Sequence, residues 1–292
     1  MAKAATSIST AGAFARRAGR RATAKWRALP EVVIIGSQKA GTTSLEALLA
    51  RHPDLYWPGR NEVHYFDWSY AQGVDWYRAW FPLTSTLRRH ERETGRHAMA
   101  AEKTPEYLVM PEAEHLLHEL MPDARLLVTI REPVDRAFSQ WRMRTQRGGE
   151  TLSFADAIAA EPERLAAEPP RGPGEYRRSA WMHHGYLMRS RYAEHLRRWF
   201  EVFPQEQLLV VRVEDLHAEP EVVMPKVLEH LRLDPGPLEG ASFPHLNVGA
   251  APATAGSAGV DPDLRARLTD QLRDVDAELQ QLVGLSYYTG AS

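Results

Sequence analysis

The residues with the clearest chemical capacity lie in the segment GSQKAGTT at residues 36–43. A β-branched run at residues 32–35 precedes this segment, and leucines follow it at helical spacing. The segment therefore joins the end of a strand to the start of a helix. Backbone N–H groups at such a junction bind anionic oxygens, and Lys39 with the paired threonines adds further donors. The pattern predicts a loop that binds a phosphate or a similar anion, because a tight turn without a ligand would not need those donors.

The position of Lys39 separates this loop from that of nucleoside triphosphatases. The triphosphate loop carries its lysine after the second glycine, whereas Lys39 precedes Gly41. Those enzymes also hold Mg²⁺ with an acid at the end of a neighbouring strand. The candidate neighbouring strand, residues 125–130, is followed by Arg131 instead. A cation in that place indicates an anion that is bound without a metal, so we predict no metal site.

Length and composition are compatible with one large α/β domain. The 292 residues are 43% hydrophobic and 25% charged, as in ordinary globular proteins. The sequence has no cysteine, which excludes disulfides and thiolate metal sites. No run approaches the roughly 18 apolar residues of a transmembrane helix. The net charge is −2, so a polyanionic ligand must be met by a local basic cluster, and we expect no nucleic-acid partner.

Strands that alternate with helices predict a P-loop-type α/β fold, in which helices flank both faces of a parallel sheet. We predict strands at residues 32–35, 125–130 and 207–212. We predict helices at residues 42–50, 111–120, 134–145, 192–203 and 221–231, and a last one from Pro262 after the N-cap Asp261. Two segments look irregular, residues 161–175 with four prolines and residues 248–259. Neither is a clear linker, so we expect a single domain at residues 31–292.

The first 30 residues differ in charge from the rest of the chain. They contain seven Lys or Arg residues and no acid, in an Ala/Ser/Thr-rich context. This composition is typical of a basic, flexible N-terminal extension, and it also resembles an organellar transit peptide. We expect a flexible extension at residues 1–30 of a cytoplasmic protein. The Ala- and Arg-rich composition favours a bacterial source.

Four segments of the chain carry a resemblance to a known family. Residues 36–43 resemble the 5′-phosphosulfate loop of sulfotransferases that use 3′-phosphoadenosine 5′-phosphosulfate (PAPS), and REPVDRAFS at residues 131–139 resembles their 3′-phosphate motif. NEVHYFD at residues 61–67 and EKTP at residues 102–105 are similar to segments of the heparan sulfate type. The order and spacing match from about residue 31 to residue 235. The resemblance implies a PAPS-dependent sulfotransferase with PAPS as its co-substrate.

The resemblance also implies which residues bind the donor. The 5′-phosphosulfate is expected against the loop residues Lys39, Ala40, Gly41, Thr42 and Thr43. Lys39 would then stabilise the leaving oxygen. Arg131 and Ser139 are expected to hold the 3′-phosphate, which distinguishes this donor from ATP.

Four further residues are candidates for proton transfer, because the acceptor hydroxyl or amine must lose a proton to a base. The resemblance assigns that role to Glu62, with support from His64, Asp67 and Lys103. From the residues alone His64 is an alternative base, since its ordinary pKa of about 6.5 suits neutral pH. Asp67 and Lys103 also admit the interpretation of a structural salt bridge.

The resemblance fails near the C-terminus and leaves the acceptor open. Enzymes of the heparan sulfate type carry a basic loop over the 3′-phosphate, whereas residues 247–259 contain no basic residue. The acceptor is left open among a carbohydrate, a glycolipid and a secondary metabolite. Two rival functions are a P-loop small-molecule kinase and a non-catalytic nucleotide-binding protein of the same fold. A homodimer is also left open.

Aromatic residues and a proline-rich segment complete the candidate site. Aromatic faces near the base can stack against a sugar, although most are expected to be core residues. The group consists of Trp57, Tyr65, Phe66, Trp68, Tyr70, Trp76, Tyr77, Trp80 and Phe81. Residues 161–175 are predicted to form a mobile loop near the acceptor cleft, because their prolines and glycines interrupt regular helix.

Overall fold

The strands form one parallel sheet, as predicted. The computed structural model describes residues 19–169, 172–238 and 259–288. Within those ranges the strands are β1 Val32–Gly36, β2 Leu55–Tyr56, β3 Met99–Lys103, β4 Arg125–Ile130 and β5 Leu208–Arg212. Their order in the sheet is β2-β3-β1-β4-β5, and every neighbouring pair is parallel. The predicted fold class is confirmed.

Helices connect the strands and continue beyond the last one. In the described part of the chain they are α1 Thr42–Leu49, α2 Val74–Arg78, α3 Thr84–Thr94, α4 Ala113–Leu120, α5 Pro133–Gln146, α6 Phe154–Ala167, α7 Ala180–His184, α8 Tyr192–Phe200, α9 Val213–Ala218, α10 Pro220–His230 and α11 Pro262–Val283. None of these helices is long and apolar enough to cross a membrane.

The central strand β1 is buried on both faces. Val33 and Ile35 belong to one hydrophobic cluster, whereas Val32 and Ile34 belong to a second cluster that includes Leu45 of α1. All four strand residues are fully buried. Successive side chains of a strand point to opposite faces, so two separate cores require helices on both sides of the sheet.

α6 contradicts the prediction that the chain is irregular from residue 161 onward. The helix continues through Pro162 and ends at Ala167. Proline lacks an N–H group, so the helix loses a hydrogen bond at that turn. Phe154 and Ala157 of the same helix are buried in a cluster with Leu264 of α11. Burial of this apolar face therefore outweighs the missing hydrogen bond.

Residues 19–30 pack against the domain, contrary to the predicted flexible extension. Ala24 is buried, and Arg27 Nη1 donates a hydrogen bond of 2.7 Å to the backbone carbonyl of Phe81. This segment is therefore part of the folded domain. Residues 1–18 of the predicted extension lie outside the described residues.

α11 packs against α5, α6 and α8. Asp261 Oδ1 accepts a hydrogen bond of 2.9 Å from Leu264 N, which confirms the predicted N-cap. Leu264, Leu268 and Leu272 are buried in a cluster with side chains of α5 and α6. Residues 247–258, where the basic loop of the heparan sulfate type was expected and not found in the sequence, lie outside the described residues.

Candidate active site

The candidate residues follow strands whose carboxyl ends meet at one edge of the sheet. Residues 36–43, here called the anion loop, begin at the end of β1, Lys103 ends β3, and Arg131 follows β4. β3 and β4 both pair with β1 in parallel, so these residues lie side by side. Open α/β sheets bind their ligands at this edge.

The backbone of the anion loop depends on its sequence. Lys39 and Gly41 have left-handed φ angles of 70° and 83°. A Cβ atom at position 41 would lie 2.2 Å from Cγ2 of Val213, so only glycine fits there. α1 begins at Thr42, and the first N–H groups of a helix have no partner within it. The loop and the helix start together present the donors that an anion needs.

Gln38 fixes the anion loop through a network that the sequence analysis missed. Its Nε2 donates to Glu106 Oε1 at 2.6 Å, and its Oε1 accepts from Arg189 Nη1 at 3.0 Å. Glu106 and Arg189 also form a buried ion pair with each other. These partners lie 68 and 151 residues from Gln38 along the chain, so no local pattern could reveal them.

A group of cations surrounds Lys39. Burial lowers the pKa of Lys39, and the positive charges of neighbouring arginines lower it further; these are Arg147, Arg131, Arg142 and Arg136. Among the described residues, no ion pair involves Lys39, Arg131, Arg142 or Arg147. Like charges held together without carboxylates favour a polyanionic ligand.

α5 supplies two of these cations, Arg136 and Arg142, and neither was predicted. Arg136 is buried, where its Nε donates to Ser190 Oγ at 2.6 Å and its Nη1 to the carbonyl of Gln38 at 3.3 Å. Arg136 therefore helps to fix the anion loop through the carbonyl of Gln38. Ser139 is half-buried, and Arg142 lies one turn later on the same face of α5. That three-residue spacing from Ser139 was the signal in the sequence for Arg142.

Glu62, His64 and Asp67 form a hydrogen-bonded chain, here called the acid–base chain. Glu62 Oε2 lies 3.0 Å from His64 Nε2, and Asp67 Oδ2 lies 2.8 Å from His64 Nδ1. A single π-helical turn at Tyr65–Ser69 carries Asp67 back to the histidine. The ring of Trp68 stacks on the imidazole with 3.5 Å between centroids. The structure therefore brings together three of the residues that the sequence analysis selected.

Contacts within the acid–base chain set the protonation states of His64 and Glu62. Burial alone would lower the pKa of His64, but hydrogen bonds to Asp67 and Glu62 outweigh burial and raise this pKa to about 9. Burial alone would raise the pKa of Glu62, but the hydrogen bond and charge of His64, followed by two nearby cations, lower it. The Glu62 side chain is 32% exposed and that of His64 is 6% exposed. Glu62 is thus an anion that a ligand can reach, whereas His64 is an enclosed cation at neutral pH.

Lys103 is a buried cation that contacts both halves of the site. Its Nζ donates to Glu46 Oε2 at 2.5 Å, to Asn61 Oδ1 at 3.0 Å and to Thr43 Oγ1 at 3.4 Å. The expected interaction with Glu62 is indirect, because Lys103 bonds to the preceding residue, Asn61. Only its charge acts on Glu62, whose pKa it lowers. Lys103 therefore links the anion loop to the segment that carries the acid–base chain.

A cavity of about 840 Å³ lies beside the acid–base chain. Its lining is basic and partly aromatic, and includes Arg60, Trp68, Arg177, Arg178 and His183. The Arg177 guanidinium lies over the Trp68 ring at 5.2 Å from its centroid. Trp68 also stacks on His64, so the cavity borders the acid–base chain at this side chain.

The end of the predicted loop at residues 161–175 forms part of the cavity wall. Gly174 lines the cavity, and its N–H donates to the carbonyl of Asp67 at 2.7 Å. This part of the segment therefore lies beside Asp67 of the acid–base chain, whereas residues 161–167 are helical.

Most of the predicted aromatic group lies in the core. The fully buried members are Tyr65, Phe66, Trp76, Tyr77 and Phe81, and the members packed at the edge of the core are Trp57, Tyr70 and Trp80. Trp68 is the member that lines the cavity.

Comparisons with known proteins agree with these features. The family model described as "Sulfotransferase domain" matches residues 29–240. Heparan sulfate glucosamine 3-O-sulfotransferase 6 of Homo sapiens is 33% identical over 207 residues, which cover 71% of this chain and 53% of that protein. Bifunctional heparan sulfate N-deacetylase/N-sulfotransferase 3 of Homo sapiens is 29% identical over 281 residues, which cover 87% of this chain and 30% of that protein. This chain thus spans about half, or less, of the length of these curated relatives.

A solved structure supports the same relationship. A sulfotransferase from Alicyclobacillus acidocaldarius superposes with a TM-score of 0.63 and 26% sequence identity, covering 89% of this chain and 98% of that one. The resemblance drawn from the four sequence motifs is therefore confirmed at the level of the family.

Proposed function

This chain belongs to the sulfotransferase domain family, and from that premise we propose that it moves a sulfuryl group from PAPS to a hydroxyl or amine of a carbohydrate. The observation that carries the proposal is the double contact of Lys103, which donates to Thr43 in the anion loop and to Asn61 beside Glu62. One side chain thus contacts both a candidate donor site and the segment of a candidate base. An in-line displacement needs donor and acceptor to be held this close together.

The donor in this proposal is PAPS, which the anion loop and its cations hold. Lys39 and the N–H groups of residues 40–43 contact the 5′-phosphosulfate, and Arg131 with Ser139 contacts the 3′-phosphate. The cations around Lys39 have no carboxylate partner within the described residues, so they fit a polyanion of this kind. Charge-assisted hydrogen bonds from guanidinium to phosphate are among the strongest polar contacts in proteins.

The reaction in this proposal is a displacement at sulfur. The acceptor oxygen or nitrogen forms a bond to sulfur, and the bond from sulfur to the bridging oxygen breaks. Adenosine 3′,5′-bisphosphate leaves with that electron pair. Lys39 and the loop N–H groups stabilise the charge that develops on the leaving oxygen. The acceptor proton passes to the carboxylate of Glu62.

Glu62 is the base in this mechanism, and His64 and Asp67 hold it in place. Both ring nitrogens of His64 face carboxylates, and a pKa of about 9 keeps the ring protonated at neutral pH. A protonated imidazole has no lone pair with which to accept a proton. The lowered pKa of Glu62 keeps that side chain ionised. These observations favour Glu62 over the alternative base His64.

The acceptor in this proposal is an acidic carbohydrate. Arg60, Arg177 and Arg178 line the cavity beside the acid–base chain, and guanidinium groups bind carboxylates and sulfates well. Trp68 adds an aromatic face, against which a sugar ring can pack. The two curated relatives are named for heparan sulfate, an acidic polysaccharide, which supports the same class of acceptor for this chain.

A calorimetric titration tests the donor without an identified acceptor. We expect adenosine 3′,5′-bisphosphate to bind at least about 100-fold more tightly than ATP, because only the bisphosphate offers a phosphate to Arg131 and Ser139. Mg²⁺ should not change this preference. Tighter binding of ATP with Mg²⁺ would instead support a small-molecule kinase.

A transfer assay tests the acceptor. PAPS with radioactive sulfur is incubated with the protein and either a heparan sulfate oligosaccharide or a neutral oligosaccharide of equal length. We expect label in the acidic sugar only. Tight bisphosphate binding without transfer to either sugar, or to a wider set of hydroxyl and amine acceptors, would support the non-catalytic alternative.

A further inference from the structure

Glu46 lies outside every sequence motif considered above, yet it makes the shortest contact of Lys103. Its carboxylate lies 2.5 Å from Lys103 Nζ, compared with 3.0 Å for Asn61 and 3.4 Å for Thr43. Glu46 stands on α1 one turn after Thr43, so both residues present their side chains to the same side of that helix. Among the described residues, Glu46 is the ion-pair partner of Lys103.

We propose that Glu46 is a positioning residue for the transfer reaction, which holds the Lys103 ammonium between the anion loop and Asn61 and away from Glu62. The proposal rests on the function proposed above, since it places Lys103 and Glu62 in one reaction centre. An ammonium group has three hydrogens to donate. Glu46, Asn61 and Thr43 accept all three, so none is left for the base.

The burial of Lys103 makes this partner necessary. The Lys103 side chain is 0% exposed and that of Glu46 is 20% exposed, so the pair lies largely out of water. A buried ammonium that loses its counter-charge seeks another carboxylate. Glu62 already lies within the field of Lys103 and is the carboxylate available on that side. Without the charge of Glu46, Lys103 would therefore turn toward Glu62 and occupy the base.

The charged surroundings of Glu62 give the direction of the effect. Arg60 and His64 lie on its own segment, and Lys103 reaches it from β3. Asp67 lies beyond His64, as Glu46 lies beyond Lys103. A closer Lys103 adds positive charge at Glu62, which lowers the pKa of this carboxyl further. A base with a lower pKa accepts the acceptor proton less readily.

The test that needs no acceptor is a side-chain carboxyl titration by ¹³C NMR. The Glu62 resonance is assigned as the signal that is missing in Glu62→Gln. In Glu46→Gln, which keeps a hydrogen-bond acceptor for Lys103, we expect the Glu62 midpoint to fall by about 0.5 pH unit or more. An unchanged midpoint would overturn the proposal, whether or not the protein proves to be a sulfotransferase.

A double-mutant cycle shows whether Glu46 acts through Lys103. In a Lys103→Met background, Glu46→Gln should shift the Glu62 midpoint by less than half of its effect in the natural chain. Equal shifts in both backgrounds would mean that Glu46 acts on Glu62 only by its own charge, which excludes the positioning role. The partial exposure of Glu46 lets it hydrate when Lys103 is removed, and thermal unfolding checks that each variant is folded.

Turnover supplies the functional readout. With PAPS and an accepted sugar, Glu46→Gln should lower kcat about 10-fold, because the base is occupied and weaker. Its affinity for adenosine 3′,5′-bisphosphate should stay within about twofold, because the residues proposed to bind the donor are unchanged. Glu194→Gln, which removes a surface partner of Arg191 instead, should leave kcat unchanged. Equal kcat values for Glu46→Gln and Glu194→Gln would contradict the proposal, whereas no turnover by the natural chain would count against the proposed function alone.

Discussion

The proposed donor side of the site, which is the anion loop with the cations around Lys39, and the proposed acceptor side, which is the acid–base chain with its cavity, manage charge in opposite ways. On the donor side, Lys39 and Arg131 belong to a group of cations that no ion pair neutralises within the described residues. On the acceptor side, the charge of His64 is paired with the carboxylates of Glu62 and Asp67 through contacts of 3.0 and 2.8 Å. The donor side thus needs an anion from outside the chain, whereas the acceptor side is already assembled.

This difference predicts that donor affinity and transfer rate depend on different parts of the site. An anion that enters the donor side relieves repulsion among like charges, so its affinity should weaken as salt increases. The acid–base chain needs no rearrangement before proton transfer, which is the condition for a preorganised base. Substitutions on the donor side should therefore appear as lost affinity, and substitutions on the acceptor side as lost rate.

The largest effect is expected for Glu62→Gln. Glutamine keeps the shape of the side chain but cannot take up the acceptor proton, so the transfer rate should fall by roughly 10²–10⁴. Affinity for adenosine 3′,5′-bisphosphate should stay near normal, because the donor side is intact. Single-turnover transfer and calorimetry measure the two quantities on the same preparation.

His64→Ala is the comparison that assigns the base. Loss of the imidazolium frees Glu62 and removes the charged partner of Asp67, so some rate should be lost. If His64→Ala lowers the transfer rate by the larger factor and Glu62→Gln keeps most activity, the base is His64. The proposed assignment of Glu62 as the base is then wrong.

The next effect concerns stability at alkaline pH. The pKa of His64 is raised from 6.5 to about 9 in the folded protein. A raised histidine pKa contributes stability that is fully present below the unfolded value and is lost as pH rises through the folded one. Deprotonation of this histidine should therefore lower the free energy of unfolding by about 3 kcal/mol between pH 6.5 and pH 9.

Urea unfolding of His64→Gln measures that contribution. The natural chain should lose more unfolding free energy than the variant between pH 6.5 and pH 9, and the difference between the two curves isolates His64 from other titrating groups. Parallel curves would show that the acid–base chain is not paired in the free protein, which would remove the contrast with the donor side.

Arg131→Ala should act on affinity alone. Loss of a charged hydrogen-bonding partner should weaken binding of adenosine 3′,5′-bisphosphate by about 2 kcal/mol, or roughly 30-fold. Binding of adenosine 5′-phosphate, which lacks the 3′-phosphate, should change little. Because the neighbours of Arg131 are cations, the substitution should not destabilise the free protein. Equal losses of affinity for both nucleotides would show that Arg131 does not bind the 3′-phosphate.

The donor side was the easier half to predict from the sequence. The anion loop and Arg131 follow apolar strands directly, so a local pattern is enough to find them. Arg142 and Arg147 were missed because they look like ordinary surface charges until α5 places them near Lys39. Gln38 was missed as a positioning residue because its partners come from distant parts of the chain.

Two elements beneath the site were missed for other reasons. β3 has the sequence MAAEK, which lacks the β-branched run that marks a strand, and it is held by pairing with β1. α6 contains Pro162, which argued for a loop, and its buried face could be identified only once α11 was placed. In both cases a tertiary contact outweighed the local preference.

The smallest effect is expected in the cavity, where Arg177→Gln tests how the acceptor side recognises its substrate. Arg177 lies over Trp68 and is partly solvated, so loss of its charge should raise KM for an acidic sugar by about 5-fold, or about 1 kcal/mol. The kcat value and the affinity for adenosine 3′,5′-bisphosphate should stay within about twofold, because neither the acid–base chain nor the donor side is touched. Arg273→Gln on α11 is the matched control, since it also removes one exposed positive charge but does not alter the cavity lining. If both variants raise KM equally, the effect is a general attraction between the protein surface and an acidic sugar. If Arg177→Gln alone raises KM, the cavity of the acceptor side binds an anionic substrate with its cations, as the donor side is proposed to do. The contrast between the two sides is then confined to the acid–base chain.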